Sequence, residues 1–415
     1  MPSPPDPRVA PAVFAVDRAL VWYIDEVQWA KAPPVSREEA EALRDLLSGR
    51  RGRGPGDFEI LVNFARTLFR INQHGEAPAC NLGDALTALA AVEQPGEEPF
   101  RHDPVVDSGA FAKLEFRDTS QGIAKAQRDN REGWWSHGQK NRAFIEEAAA
   151  RTTGKKLAVV LGAGHAFDLP LVELARQFEK LVLVDIDAQA MEQTVAGVFK
   201  DAGLRARVEP RVIDLTGING ALVARIEAIV SGPGTAAEVA DRLERLCQLY
   251  RLAEAPRLLP PGERADLLVS SCVLTQLAWP QRILAERLYE KRFAPVRGAV
   301  EQRWARHWSE FELRVQQDHF TALAGVAEVV AFTSDVVSQV TALDASGTER
   351  TSGKTIYAVG VPSLLERVPQ LFQSDGHKTW EWPRYRATRQ GQGSRMTVEG
   401  VVLKEVHRPS GLWVP

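Results

Sequence analysis

The chain has 415 residues, of which 44% are hydrophobic and 25% are charged, and its formal net charge is −3. This composition is ordinary for a globular protein with a sizeable core, and so balanced a charge gives no electrostatic case for binding nucleic acid or an anionic membrane. The 3 cysteines are widely spaced, so we expect no disulfide framework and no metal site.

The first quarter of the chain is predicted to be a helical accessory domain. Its start lacks the basic residues and uninterrupted apolar core of a signal peptide, and no apolar run is long enough to span a bilayer, so we expect a cytoplasmic protein. Apolar periodicity predicts helices at residues 13–28, 36–47, 58–71 and 82–92. We therefore assign residues 1–105 to the accessory domain, 106–150 to a linker and a helix over 131–149, and 151–415 to the main domain.

The most informative segment follows that helix and predicts a strand, a glycine turn, a helix and a second strand. Residues 157–161 form an apolar run typical of a buried parallel strand, and Gly162 and Gly164 end it. Asp168 is expected to cap the next helix. The second strand ends at Asp185, about 20 residues past the glycines, where a carboxylate holds a ribose diol. The segment therefore predicts a nucleotide-cofactor site, although Asp187 competes with Asp185 for the same ribose.

The residues after the glycines discriminate between cofactors. A dinucleotide fingerprint requires a third glycine where this chain has Phe167, which weakens the NAD interpretation. The segment instead resembles the first motif of class I S-adenosylmethionine-dependent methyltransferases. Val160 stands where that family has an acidic residue that helps to hold the methionine end of the cofactor, and Ala166 stands at its last glycine.

The resemblance continues in the expected order and covers the chain from about Trp134 to its end. Residues 206–215 resemble the third strand, 264–277 the fourth strand with its loop, and 328–335 the fifth strand. It implies a doubly wound Rossmann-like α/β fold with a mostly parallel sheet, S-adenosyl-L-methionine as cofactor, and a helix over 131–149 that covers it. The implied cofactor-binding residues are Gly162, Ala163, Gly164, Asp185, Ile186, Asp214, Leu215, Ser270, Ser271 and Trp134.

Several of these residues have structural alternatives. Asp214 also suits a turn or a helix cap, with about equal odds. Trp134 either covers the cofactor or anchors its helix on the core, whereas for Trp135 we favour the core. Candidate catalytic bases are His319, His307 and His137, because imidazole titrates near neutral pH, but each also suits a structural role. Cys272 is expected to pack as a small buried side chain.

The sequence therefore predicts methyl transfer to oxygen or nitrogen of a small-molecule or peptide acceptor. The loop at residues 270–273 lacks the signatures of enzymes that methylate DNA bases, so we expect no nucleic-acid partner. The alternatives are an NAD-dependent oxidoreductase and a non-catalytic S-adenosylmethionine-binding protein. A helical insert over residues 218–258 is expected to shape the acceptor site, form a homodimer contact or decorate the surface. Residues 354–360 and 395–404 should complete the sheet, and residues 380–385 form either a pocket rim or an edge strand.

Overall fold

The computed structural model describes residues 99–405, except 249, 251, 254–255, 261, 294–298, 358–371 and 388–391. The four helices predicted before residue 93 lie outside the described residues, so the accessory domain stays a prediction. From residue 99 to Asp107 the described chain has no helix and only one isolated bridge, between Phe100 and Leu252.

One sheet organises the described chain. Its parallel part has the order β3-β2-β1-β4-β5. The strands are β1 (Leu157–Leu161), β2 (Lys180–Asp185), β3 (Val208–Val212), β4 (Ala265–Ser271) and β5 (Ala327–Leu343). Every residue of β1 is buried, as expected for an apolar strand with layers on both faces. The prediction of a doubly wound α/β fold with a mostly parallel sheet is confirmed.

Three antiparallel strands extend this sheet beyond β5. They are β6 (Glu349–Tyr357), β7 (Phe372–Tyr385) and β8 (Gly393–Glu405). β8 pairs with β5 and β7, whereas β6 pairs only with the second half of β5. The strand predicted at residues 395–404 is confirmed, and residues 354–357 of the other predicted strand lie in β6. β7 is an edge strand of the described sheet, in agreement with the proline at position 383.

Ten helices of the described chain surround the sheet. They are α1 (Ser108–Lys113), α2 (Phe116–Asp129), α3 (Arg131–Ala149), α4 (Leu171–Gln177), α5 (Ala188–Val198), α6 (Ala202–Arg205), α7 (Asn219–Ser231), α8 (Ala236–Gln248), α9 (Trp279–Arg292) and α10 (Ala299–Ala322). The insert is helical as predicted, since it contains α7 and α8. No helix in the described part of the chain combines the length and the apolar character that crossing a membrane requires.

Helix α3 occupies its predicted bounds and packs against β7. Gly133 makes the close approach possible, because a Cβ there would collide with the carbonyl oxygen of Pro383. The Nδ2 of Asn130 donates to the same oxygen at 2.5 Å. The prediction for Trp135 is wrong: 61% of this residue is exposed, because the turn of the helix directs it away from the sheet that Trp134 faces.

The strand order locates the binding site. β2 and β3 follow β1 on one side of it, and the chain then crosses over, so that β4 and β5 lie on the other side of β1. The carboxyl ends of β1 and β4 therefore border a crevice where the winding reverses, which is the usual ligand position in open parallel sheets.

Candidate functional site

A strained glycine turn leaves β1 at this crevice. Gly162 and Gly164 have φ of 68° and 35°, and Ala166 has φ of 51° although it carries a side chain. A Cβ at Gly162 would lie 2.8 Å from Cγ2 of Val273, so space as well as conformation favours glycine there. The turn does not lead directly into a helix, because α4 begins only at Leu171.

The turn is tied to the end of β2 through Asp185. The amide of Gly164 donates to Oδ2 of Asp185 at 2.8 Å, and the amide of Asp187 donates to Oδ1 at 2.8 Å. Burial is the main cause that raises the pKa of Asp185 to about 6, against the lowering effect of these hydrogen bonds. The half-buried carboxylate lines the pocket, where it can accept hydrogen bonds from a hydroxylated ligand.

Two neighbouring aspartates have structural partners instead. Oδ1 of Asp187 accepts from the amides of Gln189 and Ala190 and caps α5, so it does not replace Asp185 as the ribose candidate. Asp214 is buried and accepts from the Thr216 hydroxyl at 2.7 Å and from backbone amides on both oxygens. Its local geometry therefore matches the turn alternative, although it also lines the pocket.

Asp168 does not cap α4, contrary to our expectation, because Pro170 is the N-cap residue and forms no side-chain cap. Oδ2 of Asp168 instead faces two side chains of α3. It lies 3.2 Å from Nε2 of His137 and 3.1 Å from Nδ2 of Asn141. Asn141 also donates to Oγ of Ser271 at 2.9 Å, so one amide links the glycine loop with the end of β4.

His137, Asp168 and Cys272 resemble a metal site by distance alone, since their ligand atoms all lie within 4.8 Å of one another. The indole nitrogen of Trp380 lies 3.0 Å from Nδ1 of His137 and can only donate. Nδ1 must therefore be unprotonated, and the proton of the neutral ring sits on Nε2, directed at Asp168. That tautomer leaves no lone pair on Nε2 for a metal.

Cys272 itself follows β4 with φ of 49°, an uncommon value for a side chain other than glycine. Its predicted burial is confirmed, at 8% exposure. Burial is the main cause that raises the pKa of this thiol well above its usual range, so it stays protonated and is a poor nucleophile.

Aromatic rings form one wall of the pocket. Trp134 is 6% exposed, and its ring packs edge-on against Trp382 at 4.7 Å and against Phe167 at 6.2 Å. Its Nε1 donates to the backbone oxygen of Arg384 at 3.2 Å. Trp134 thus joins α3 to β7, as the packing alternative predicts, and it also lines the pocket. Its role as a cover for the cofactor stays a prediction. Residues 380–385 likewise form both an edge strand and a pocket rim.

None of the three histidine candidates lines this pocket. His137 is fully buried, and its two ring nitrogens face Trp380 and Asp168. His319 is buried beside Ser270, with Nε2 3.1 Å from its Oγ, and burial lowers the pKa of His319 to about 4. Ser270 itself therefore packs behind the pocket. His307 is buried between Glu244 at 3.3 Å and Glu310 at 3.4 Å, in the contact between α8 and α10. The geometry supports neither His319 nor His307 as a catalytic base.

The pocket contains most of the remaining predicted residues and several that sequence reasoning missed. The predicted residues that line it are Gly162, Ala163, Gly164, Asp185, Ile186, Asp214, Leu215, Ser271 and Trp134. The missed ones include one face of α2, formed by Phe116, Thr119, Ser120 and Ile123, and the polar residues Thr275 and Asp335. Asp335 had a usable signal, since it lies three positions past the apolar run that ends at Phe332 in a parallel strand. The α2 residues carry no comparable signal.

The helical insert contributes little to this pocket. Only Asn219, at the start of α7, lines it. Farther along α7, Val223 packs in a buried cluster with Leu284 of α9, Ala110 of α1 and Leu114, which caps the end of α1. The insert therefore contributes one residue to this pocket, and its roles at the acceptor site and in a subunit contact stay predictions.

Comparisons with known proteins give only distant likenesses. No protein family profile matches the sequence, and no curated protein matches it either. Among solved structures, the chain is similar to a SAM-dependent methyltransferase from Anabaena variabilis, with 9% identity, coverage of 75% of this chain and 100% of that one, and a TM-score of 0.30. It is also similar to a SAM-dependent methyltransferase from Aquifex aeolicus, with 13% identity, coverage of 69% of this chain and 98% of that one, and a TM-score of 0.28.

A third similar structure is a putative RNA methyltransferase from Pyrococcus horikoshii. It shares 10% identity, covers 65% of this chain and 85% of that one, and has a TM-score of 0.27. Likenesses at this level carry no argument about activity, so the functional conclusion rests on the pocket.

Proposed function

We propose that this protein is an S-adenosylmethionine-dependent methyltransferase that acts on a small-molecule or peptide acceptor. One observation carries the proposal: a glycine turn with positive φ is hydrogen-bonded to Asp185 at the reversal point of a doubly wound sheet. This arrangement supplies both close backbone approach and a ribose-binding carboxylate.

The pocket residues fit such a cofactor. Asp185 would accept hydrogen bonds from the ribose, and Ile186 and Leu215 offer apolar surface beside it. Val160 is buried within β1 and supplies no carboxylate. Asp168 lines the pocket with 19% of its side chain exposed, and Oδ1 has no partner in the described chain, so it would hold the ammonium of the methionine end. When bound, S-adenosylmethionine supplies an electrophilic methyl group on a positively charged sulfur, which suits an acidic pocket.

The dinucleotide alternative fits the loop less well. Phe167 packs against Trp134 and lines the pocket at the place where a third glycine would admit a pyrophosphate. The first helix after the turn begins at Leu171, so its N-terminal amides do not follow the glycines directly.

The charge of the pocket disfavours nucleic-acid acceptors. Its lining includes five carboxylates, those of Asp168, Asp185, Asp187, Asp214 and Asp335, and one guanidinium, that of Arg384. A polyanion would meet repulsion there, because nucleic-acid binding depends on neutralising phosphates with basic side chains.

Calorimetry with S-adenosylhomocysteine, S-adenosylmethionine and NAD tests the proposal. We expect the two adenosyl ligands to bind and NAD to bind far more weakly. Tight NAD binding would establish the oxidoreductase alternative. Tight, steeply salt-dependent binding to tRNA, or transfer of labelled methyl to it, would refute the acceptor class. A protein that binds S-adenosylmethionine and never transfers its methyl group would be the non-catalytic alternative. The cytoplasmic location and the homodimer stay predictions.

A further inference from the structure

The inference concerns Asp335, which lies at the β4–β5 side of the pocket. The residue is 5% exposed and lines the pocket. The Thr275 hydroxyl donates to its Oδ1 at 2.8 Å. In the described part of the chain Oδ2 has no hydrogen-bond donor and no cation, so one oxygen of this largely buried residue is available to a ligand. Burying such a group is costly unless something pairs with it.

The backbone at Asp335 is irregular, as expected for a residue that faces a ligand site. Up to Thr333, β5 pairs with β4 on one side, and its pairing with β8 shifts register between Asp335 and Val337. Such a bulge bends a strand and redirects a side chain, and bulges are frequent beside active sites. Asp335 therefore lies where the regular ladder ends and the pocket begins.

Charged groups from other elements do not neutralise Asp335. The groups that face this region are the Cys272 thiol, Asp168 from the glycine loop and Arg384 from β7. Arg384 forms no ion pair in the described chain: its guanidinium lies 5.4 Å from the ring centroids of Trp382 and Tyr385 and contacts the sulfur of Met396. Two carboxylates and one guanidinium leave a net negative charge.

Aromatic rings line the same pocket as these carboxylates. Besides Trp382, which is stacked on His137, they are Trp134, Phe167 and Phe116. The face of an aromatic ring attracts cations, most strongly where water is excluded. A carboxylate together with aromatic rings is a chemical environment that selects an ammonium group over a neutral or an anionic one.

We propose that the acceptor atom is the nitrogen of a small primary or secondary amine, and that Asp335 binds its ammonium form and takes its proton. This rests on the proposed function. The ammonium N–H proton passes to Oδ2 of Asp335, and from there to solvent. The freed lone pair on nitrogen forms the new N–C bond, while the C–S bond of the sulfonium breaks and leaves its electron pair on sulfur. Thr275 is a positioning residue that holds Oδ1.

Three probes of similar shape test the charge preference directly: 2-phenylethylamine, 2-phenylethanol and 3-phenylpropionate. Each is titrated calorimetrically into the whole protein saturated with S-adenosylhomocysteine. We expect the amine to bind at least about tenfold more tightly than the other two probes. Equal binding of the three probes, preference for the alcohol or the acid, or no binding of any probe would overturn the inference. A protein that does not bind S-adenosylhomocysteine would overturn the proposed function and this inference together.

A variant pair assigns the preference to Asp335. Asp335→Asn keeps an oxygen that can accept from Thr275, and Asp129→Asn is the control, because Asp129 is exposed at the end of α2. We expect Asp335→Asn to remove the amine preference while S-adenosylhomocysteine affinity stays unchanged, and Asp129→Asn to change neither. In methyl transfer to the amine, the rate of Asp335→Asn should increase with pH toward the pKa of the free amine. An amine preference that survives in Asp335→Asn would refute the role of this carboxylate.

Discussion

The amide of Gly164 and the carboxylate of Asp185 are joined by a hydrogen bond of 2.8 Å that spans 21 positions of sequence. The bond fixes the glycine turn after β1 against the end of β2, so the two parts of the proposed cofactor site position each other. Thr194 of α5 adds a second tie, because its hydroxyl donates to the carbonyl oxygen of Gly164 at 2.8 Å.

Replacement of Asp185 tests this arrangement. Asp185→Ala removes hydrogen bonds to the ribose and one partner of the Gly164 amide, and a bond to a charged group contributes roughly 1.5 to 3 kcal/mol. We expect S-adenosylhomocysteine to bind about tenfold more weakly, or worse, by calorimetry. Asp129→Ala, on the exposed end of α2, serves as control. Unchanged affinity in a folded Asp185→Ala protein would remove Asp185 from the site.

Cofactor binding should also depend on pH through Asp185. Its pKa of about 6 lies above the ordinary value because of burial, and ribose hydroxyls donate to the charged form. Affinity for S-adenosylhomocysteine should therefore be constant well above pH 6 and fall by about tenfold near pH 5. Two of the other titratable groups that line the same pocket are Asp187 and His165. Asp187 caps α5, and burial lowers the pKa of His165 below its usual range.

In the free protein, protonation of Asp185 affects stability in the opposite direction from its effect on ligand binding. A carboxyl group whose folded pKa is raised destabilises the fold at pH values above that pKa, and this cost disappears as the pH falls toward the unfolded value. Acidification from pH 7.5 to 5 should thus weaken ligand binding without loss of stability from this group. Asp185→Asn should flatten the binding profile, whereas His165→Gln should not. A profile that is unchanged in Asp185→Asn would assign the titration to another group.

Gly164 should tolerate no side chain. Its φ of 35° disfavours L residues, and its amide must stay directed at Asp185. Gly164→Val should abolish S-adenosylhomocysteine binding and cost about 1–2 kcal/mol in the free energy of unfolding. Gly197→Val, at an exposed helical position with open space around it, should leave binding intact. Retained binding in Gly164→Val would place the cofactor elsewhere.

The sequence predicts the sheet well, because burial on both faces requires the apolar runs that mark β1, β2 and β4. It also predicts α3 to the residue, since the apolar face of that helix is periodic. The sequence also places Asp185, the proposed ribose carboxylate, in the pocket, because its distance from the glycines follows from one strand–helix–strand unit.

The acceptor side could not be predicted in the same way. Asp168 pairs with side chains of α3, and Asp335 and Arg384 line the same pocket only because β5 and β7 both border it. Such contacts join residues that are far apart in the sequence, so no local spacing of residues predicts them. The histidine candidates fail for a related reason. Residue type indicates that imidazole can titrate, whereas the fold buries His319 beside Ser270 and outside the pocket lining.

Gly133 should be required for the junction of α3 and β7. A methyl group there would collide with the carbonyl of Pro383, next to Trp382 and Arg384 in the pocket wall. Gly133→Ala should lower the free energy of unfolding by about 1–3 kcal/mol, as overpacking does, and weaken S-adenosylhomocysteine binding. Gly122→Ala, a helical glycine of α2 with nothing within 4 Å, should stabilise by up to about 1 kcal/mol. Denaturant unfolding measures both effects. Equal changes in the free energy of unfolding for the two variants would contradict the tight packing at Gly133.

Trp134 should serve both folding and binding, and a matched tryptophan can separate these roles. Trp134→Phe keeps an aromatic ring near Trp382 and loses the hydrogen bond to the backbone oxygen of Arg384, which is worth about 1 kcal/mol. Trp308→Phe is the control, because Trp308 is fully buried in α10 and does not line the pocket. Both variants should unfold at lower denaturant concentrations. Only Trp134→Phe should weaken S-adenosylhomocysteine binding per folded molecule, because only its ring lines the proposed cofactor site. Equal affinities in the two variants would show that Trp134 acts through packing alone and would exclude it as a cover for the cofactor.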